Sequence, residues 1–290
     1  MTQNYIFPLA DKGGKIAFQG RFGAYSHLAS KNCYPNYIAT PYENFEKTFA
    51  AVANGDCDLA MIPMQNSTGG RVADIHQLLP QTKLFIIAEY FQKISHCLMA
   101  AKHIDVKKIT KVYSHPQALM QCRDKIANKK LTPMEFHDTA GAAAYIAEHK
   151  SADNLSALAS EICADIYGLN IIEKNMEDND KNITRFIIFA KHEIMPTATA
   201  DDMVVTAMMF SLKSLPAALY KSLGGFASNS INLLKLESYI PMLAGDTVAE
   251  FYIEFAGSRH ETSVQNALDE LAYFATDIRQ LGSFIKNHIS

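Results

Sequence analysis

The chain has 290 residues, 48% of them hydrophobic and 20% charged, with 27 Lys and Arg against 30 Asp and Glu for a formal charge of -3. That length is more than one ordinary core supports and predicts two domains. The near-neutral balance, with no basic run, argues against a nucleic-acid surface, and no apolar run reaches the ~18 residues of a membrane span.

The opening stretch "MTQNYIFPLADKGGK" has no cationic segment ahead of an apolar core, so it does not read as a signal peptide. The 5 cysteines are scattered and odd in number, without C-x-x-C spacing. They predict reduced thiols and a cytoplasmic location.

From residue 15 strands and helices alternate. "KIAFQG" reads as a strand, and a helix follows the glycines near Ser26. "FEKTFAAVANGD" is a helix closing on Gly55, "CDLAMIP" a buried strand and "RVADIHQLL" a helix. "KLFIIAEYF" and "SHCLMAA" are strands. "KVYSH" is a strand running into the helix "PQALMQCRDKIA". "TAGAAAYIAEH" is a helix capped by Asp138, "LSALAS" a strand, "EICADIYG" a helix and "NITRFIIFAK" the last strand of the series. This rhythm predicts an α/β domain over 15–191 with mostly parallel sheets.

Residues 192–203, "HEIMPTATADDM", break the pattern and read as a linker. Over 204–290 the order becomes strand, helix, strand, strand, helix, strand, the ferredoxin-like βαββαβ arrangement. A unit this small is expected to gain stability by pairing with a second copy.

In open α/β sheets, ligands bind beyond the carboxyl ends of strands, where helix N-termini point. Four junctions here are rich in donors. "FQGRFGAYS" has Gly20 and Gly23 for close backbone approach, then Ser26. "IPMQNSTGGR" has Gln65, Asn66, Ser67 and Thr68. "YSHPQAL" has Ser114, His115 and Gln117 around Pro116, and "HDTAGAA" has Asp138 and Thr139. A Ser, Thr, Asn or Asp at a helix start is first of all a cap. Four of them after strands make an anion site built from helix ends and neutral donors. No HExxH or Cys/His spacing points to a metal.

With "NITRF", "IPMQNS", "YSHPQAL" and "DTAGAAA" in this order, the chain resembles the prephenate dehydratases over roughly residues 15 to 290. Its C-terminal segment "LPAALYKSLGGFASNSINLLKLES" is similar to the ACT regulatory domain joined to those enzymes. The resemblance implies a two-lobed catalytic region like a type II periplasmic binding protein, with the site in the cleft. It also implies a homodimer or homotetramer, no cofactor, and feedback inhibition by phenylalanine.

Carried over by residue, the resemblance gives Thr184, Arg185 and Phe186 the family's Thr-Arg-Phe motif, with Thr184 essential to catalysis. Ser114 to Gln117 match its Ser-His-Pro-Gln in full. Asn66 and Ser67 match Pro-Ile-Glu-Asn-Ser, whose glutamate is replaced by Gln65. Thr139 follows Asp138 in the Ser-Thr-Ala position, and Arg21 replaces the proline of the glycine-rich entry that holds Tyr25 and Ser26. For the effector, Ala217, Ala218 and Leu219 stand for Gly-Ala-Leu. Glu237 and Ser238 keep half of Glu-Ser-Arg-Pro, with Tyr239 and Ile240 in the other places. Asn232 remains beside the helix expected to begin at Pro216, where Ala217 is tolerated as a helical residue.

The implied substrate is prephenate, a dianion that loses CO2 from C1 and the hydroxyl from C4 as its ring aromatises. Arg185 is expected to hold a carboxylate as a fixed fork. Asn66, Ser67, Ser114, Gln117 and Thr139 serve as neutral donors, and Thr184 as the donor to the departing hydroxyl. Inhibition by phenylalanine that disappears when 204–290 is deleted, with catalysis retained, would support the regulatory reading. Arogenate dehydration and a non-catalytic amino-acid sensor are the alternatives these motifs leave open.

Overall fold

The computed structural model describes residues 7–149, 152, 154–239 and 249–287. The chain first lays down β1 (Gly14–Gln19), α1 (Tyr25–Cys33), β2 (Tyr37–Tyr42), α2 (Phe45–Asn54), β3 (Leu59–Asn66), β4 (Gly70–Arg71), α3 (Ala73–Leu78) and β5 (Phe85–Lys93). It then crosses into a second sheet region with β6 (Cys97–Ala101), β7 (Lys111–Ser114), α4 (Pro116–Gln121), α5 (Arg123–Asn128), β8 (Thr132–Glu135), α6 (Thr139–Glu148), β9 (Leu155–Ala159), α7 (Ile162–Tyr167) and β10 (Leu169–Glu173). It returns to the first sheet as β11 (Ile183–Ala190).

The first sheet has the order β2-β1-β3-β11-β5, with β4 beside β3, and the second β10-β6-β9-β7-β8. Both are mixed, which corrects the mostly parallel expectation. β1 pairs in parallel with β2 and β3, but β11 runs antiparallel to both β3 and β5. The cause is the double crossing: β11 re-enters the first sheet from the end at which β5 left it. β2, β8 and β10 escape a pattern reading because they are edge strands with polar residues or a proline, as in "YIATPY" and "TPME". The helix expected over 116–127 is two, broken at Cys122 with φ -114° and ψ 16°.

The remainder is β12 (Val204–Leu212), α8 (Ala218–Ser228), β13 (Leu233–Tyr239), β14 (Glu250–Ala256), α9 (Thr262–Phe274) and β15 (Ala275–Ile285). Their antiparallel order, β13-β14-β12-β15, is the expected ferredoxin-like topology. Helix α8 starts after Ala217 rather than at Pro216. Ala217 itself sits in the left-handed region at φ 58°, so it is an N-cap strained by its Cβ and not a tolerated helical residue.

Strand alternation decides what faces what. On one side of the first sheet, Ile16, Phe18, Leu59, Met61, Phe186 and Ile188 pack on α1 through Ala29 and Cys33. On the other, Ala60, Ile62, Ile86, Ile187 and Phe189 form one core with Val205, Met209, Tyr252, Leu281 and Phe284 of the C-terminal sheet. Each Val, Leu, Ile, Met or Phe among them, fully buried, contributes roughly 1.5–3 kcal/mol. The C-terminal sheet is thereby a packed layer of the molecule.

Candidate active site

Between the first two sheets lies a cleft of about 590 Å³. Its lining includes Arg21, Tyr25 and Ser26 from the start of α1, Asn66 from β3, His96 from the β5–β6 crossing and Gln117 and Gln121 from α4. Asp138 and Thr139 from the start of α6, and Asn182, Thr184 and Phe186 from the return strand, complete it. Helix starts meet here as the sequence suggested. Asp138 caps α6 by accepting from Gly141 N at 2.6 Å, and His115 caps α4 by accepting from Gln117 N at 3.2 Å.

The loop after β1 is where the lobes touch. Gly23 has φ 97°, and a Cβ there would collide with Cys163 Sγ of α7. Its carbonyl accepts from the Ser160 hydroxyl, and Phe22 O accepts from Tyr167 Oη at 2.6 Å. The glycine thus lets the second lobe clasp the turn that presents Tyr25 and Ser26. Burial pushes the Cys163 thiol up to about 12 and the Cys122 thiol up to about 12, so neither is a ready nucleophile.

Asn66 and Thr184 are cross-strand partners. Asn66 Nδ2 donates to Thr184 Oγ1 at 2.9 Å and to Asn182 Oδ1 at 2.7 Å, while its Oδ1 accepts from Thr68 N and Gly69 N. Since Thr184 Oγ1 receives from Asn66, the hydroxyl proton is not used on Asn66 and is left to donate to another group.

Other expected residues lie elsewhere. Arg185, adjacent to Thr184, alternates to the opposite face. Its Nε donates to Glu89 Oε2 at 2.6 Å, and its two terminal nitrogens to the carboxylate of Glu254 on β14 at 2.7 and 3.0 Å. Burial works against its charge, but Glu254 and Glu89 outweigh it and hold the guanidinium's pKa above the ordinary value. A fork spent on two carboxylates is not free for substrate. Gln65 is cross-strand from Arg185 and turns the same way, accepting from Lys235 Nζ at 3.3 Å. The missing glutamate therefore has no bearing on the cleft.

Ser67 is consumed in pinning its loop to β11: Oγ donates to Lys181 O and accepts from Ile183 N, each at 3.0 Å. Ser114 is fully buried and staples β7 to β9 by donating to Leu158 O at 2.7 Å. Neither lines the cleft. Of the effector residues, Glu237 pairs with Lys235 at 3.2 Å and with Tyr239, on the sheet face toward Gln65 and Arg185. α8 packs on the other face, so Glu237 does not converge with Ala217, Ala218 and Leu219. Ile240 lies outside the described residues.

The sequence reading missed Gln121, Asn182 and His96 as site residues. Gln121 sits four residues after Gln117, one turn along the same helix face, and Asn182 opens "NITRF". His96 is a polar residue at the entrance of an apolar strand, the signal that singled out Thr184.

The family model "PDT: Prephenate dehydratase" matches residues 16–194. A bifunctional N-acyl-homoserine lactone acylase/prephenate dehydratase from Komagataeibacter europaeus is 38% identical over 93% of this chain and 95% of its own length. The chloroplastic arogenate dehydratase/prephenate dehydratase 2 of Arabidopsis thaliana is 38% identical over 98% of this chain and 76% of its own. The solved prephenate dehydratase from Arthrobacter aurescens in complex with L-Phe superposes with a TM-score of 0.84 at 25% identity, covering 94% of this chain and 90% of that one. The chain belongs to the prephenate dehydratase family, lyases that remove water and carbon dioxide in aromatic amino acid biosynthesis.

Proposed function

We propose that the cleft converts prephenate to phenylpyruvate, CO2 and water, with Thr184 as the donor to the leaving hydroxyl. The observation that carries this is the Asn66–Thr184 bond at the cleft lining, in which Thr184 Oγ1 accepts and so keeps its own proton to donate. As the C1–carboxylate bond breaks, its electron pair enters the ring and expels the C4 hydroxyl; the Thr184 O–H hydrogen-bonds the departing oxygen as negative charge develops on it, and the hydroxide takes up one proton from solvent to leave as water. A positioned donor of this kind contributes about 10²–10⁴-fold. Ser26, Gln117 and Thr139 are the neutral donors for the carboxylate and carbonyl groups, and Phe186 closes the apolar wall. With Arg185 turned away, Arg21 is the one guanidinium or ammonium among the described lining residues and takes the carboxylate that stays.

Arogenate carries an ammonium where prephenate has a keto oxygen. The carboxylates at the cleft already have partners: Asp138 holds Gly141 N with Arg21 4.0 Å away, and Glu43 pairs with Lys47. That favours the keto acid. Side-by-side turnover of prephenate and arogenate tests the choice, and a higher kcat/KM for arogenate would reverse it.

The chain divides into a catalytic part over 15–191, a linker over 192–203 and an ACT-type regulatory unit over 204–290 with phenylalanine as effector. The βαββαβ topology and the L-Phe complex of the Arthrobacter relative support this. The effector site comprises Ala217, Ala218, Leu219, Asn232 and Ser238. A second copy completes it, in a homodimer or homotetramer. The edge position of β13 and the exposure of Leu236 and Tyr220 support pairing of this unit. The five unpaired, buried cysteines suit a cytoplasmic enzyme.

A further inference from the structure

Asn66 aims Thr184, and the hydrogen-bond directions show what aims Asn66. Its Oδ1 accepts from the backbone amides of Thr68 at 3.0 Å and Gly69 at 2.7 Å. That orientation makes Nδ2 the end that meets Asn182 Oδ1 and Thr184 Oγ1. Asn182, accepting at Oδ1, donates from Nδ2 to Gln121 Oε1 at 2.9 Å. The same Oε1 lies 3.1 Å from His96 Nε2. An amide oxygen only accepts, so the His96 proton is on Nε2. Its Nδ1 faces Tyr25 Oη at 2.9 Å, and that hydroxyl also reaches Ser95 O at 2.7 Å.

From Asn66 through Asn182 and Gln121 to His96 each donor and acceptor is assigned in turn, and the network touches both connections between the lobes. His96 lies on the outgoing crossing and Asn182 at the end of the return. The crossings are tied to each other as well: His96 N donates to Glu177 Oε2 at 2.8 Å, and Met176 N to His96 O at 2.8 Å. His96 is 2% exposed although it borders the cleft.

We propose that His96 is a positioning residue for the dehydration: its Nε2–H fixes Gln121 and, through Gln121, Asn182 and Asn66, the hydroxyl of Thr184. This rests on the role given to Thr184. A buried polar network of this kind is useful only when each member is satisfied. Removing the His96 donor frees Gln121 to turn, and the disorder passes to the one hydroxyl that must point at the leaving group.

The test is a double-mutant cycle read by phenylpyruvate formation, with thermal unfolding recorded for each variant. His96→Gln keeps a donor at the reach of Nε2, whereas the shorter His96→Asn does not. We expect His96→Asn to lower kcat about 10–10²-fold with KM within about threefold, and His96→Gln to restore most of the loss. In a Thr184→Ala background, the His96→Asn change should alter kcat by less than about twofold, because the group it positions is gone. Multiplying losses in the double variant, a change confined to KM, or equal activity of the Asn and Gln variants would overturn the proposal. If Thr184→Ala alone keeps normal kcat, the role of Thr184 itself is wrong, and that outcome is separate from the behaviour of His96.

Discussion

Thr184 and Arg185 are neighbours on β11 that serve opposite faces of the sheet: the hydroxyl borders the cleft, while the guanidinium is clamped by Glu89 and Glu254 beneath the C-terminal sheet. Arg185→Ala should therefore act on stability, by about 3–5 kcal/mol, since it strands two nearly buried carboxylates. Urea unfolding measures this. A large rise in KM for prephenate with unchanged unfolding free energy would return Arg185 to the substrate.

For Thr184→Ala we expect kcat to fall at least ~10²-fold with KM nearly unchanged, and Thr184→Ser to retain substantial activity. Near-normal kcat in the alanine variant contradicts the assigned role.

Arg21→Ala should raise KM more than it lowers kcat, because binding of the retained carboxylate is common to ground and transition states. Arg21 is 65% exposed at the side chain, so the folded stability should stay within about 0.5 kcal/mol of the parent. An unaltered KM would mean that helix ends and neutral donors suffice for the dianion.

Ala217→Gly should stabilise the protein by about 1 kcal/mol, because it relieves a Cβ at φ 58°. The gain is partly offset by the greater freedom of glycine in the unfolded chain. A lower melting temperature for the glycine variant would show that the Cβ is used in packing.

Burial lowers the pKa of both His96 and His27 from the ordinary histidine range. Both are then neutral in the folded chain while the unfolded chain takes up protons near ~6.5. The unfolded state binds more protons below that pH, so stability is present above it and is lost as pH falls through the window toward the depressed folded values. Melting temperatures between about pH 7.5 and pH 5.5 should decline, and His96→Gln should shallow the slope. A flat profile in the parent would contradict this.

The helix cap at Asp138, the buried strands and the βαββαβ order were legible because capping chemistry and apolar runs are local. What was illegible is set by distant partners. "TRF" displays an exposed-looking arginine, but its counter-charges lie 96 and 69 residues away, on β5 and β14. The same holds for Ser114 and Ser67, whose acceptors are the backbone carbonyls of Leu158 on β9 and of Lys181 just ahead of β11. A period-2 reading of β11 would have separated Thr184 from Arg185. The motif's contiguity in sequence concealed the two faces.

Gly282 has φ 131°, and a Cβ there would strike the backbone of Ile86. With Val205, Tyr252, Leu281 and Phe284 on the same core as Ile187 and Phe189, this contact means that residues 204–290 cannot be cut away as a spare cassette. A truncated enzyme would bare an apolar face and leave Arg185 with Glu89 alone, so its inactivity would be uninformative about feedback. The proposed effector role is instead to be tested by point changes at the outer face of α8 and β13, where the shared core is untouched.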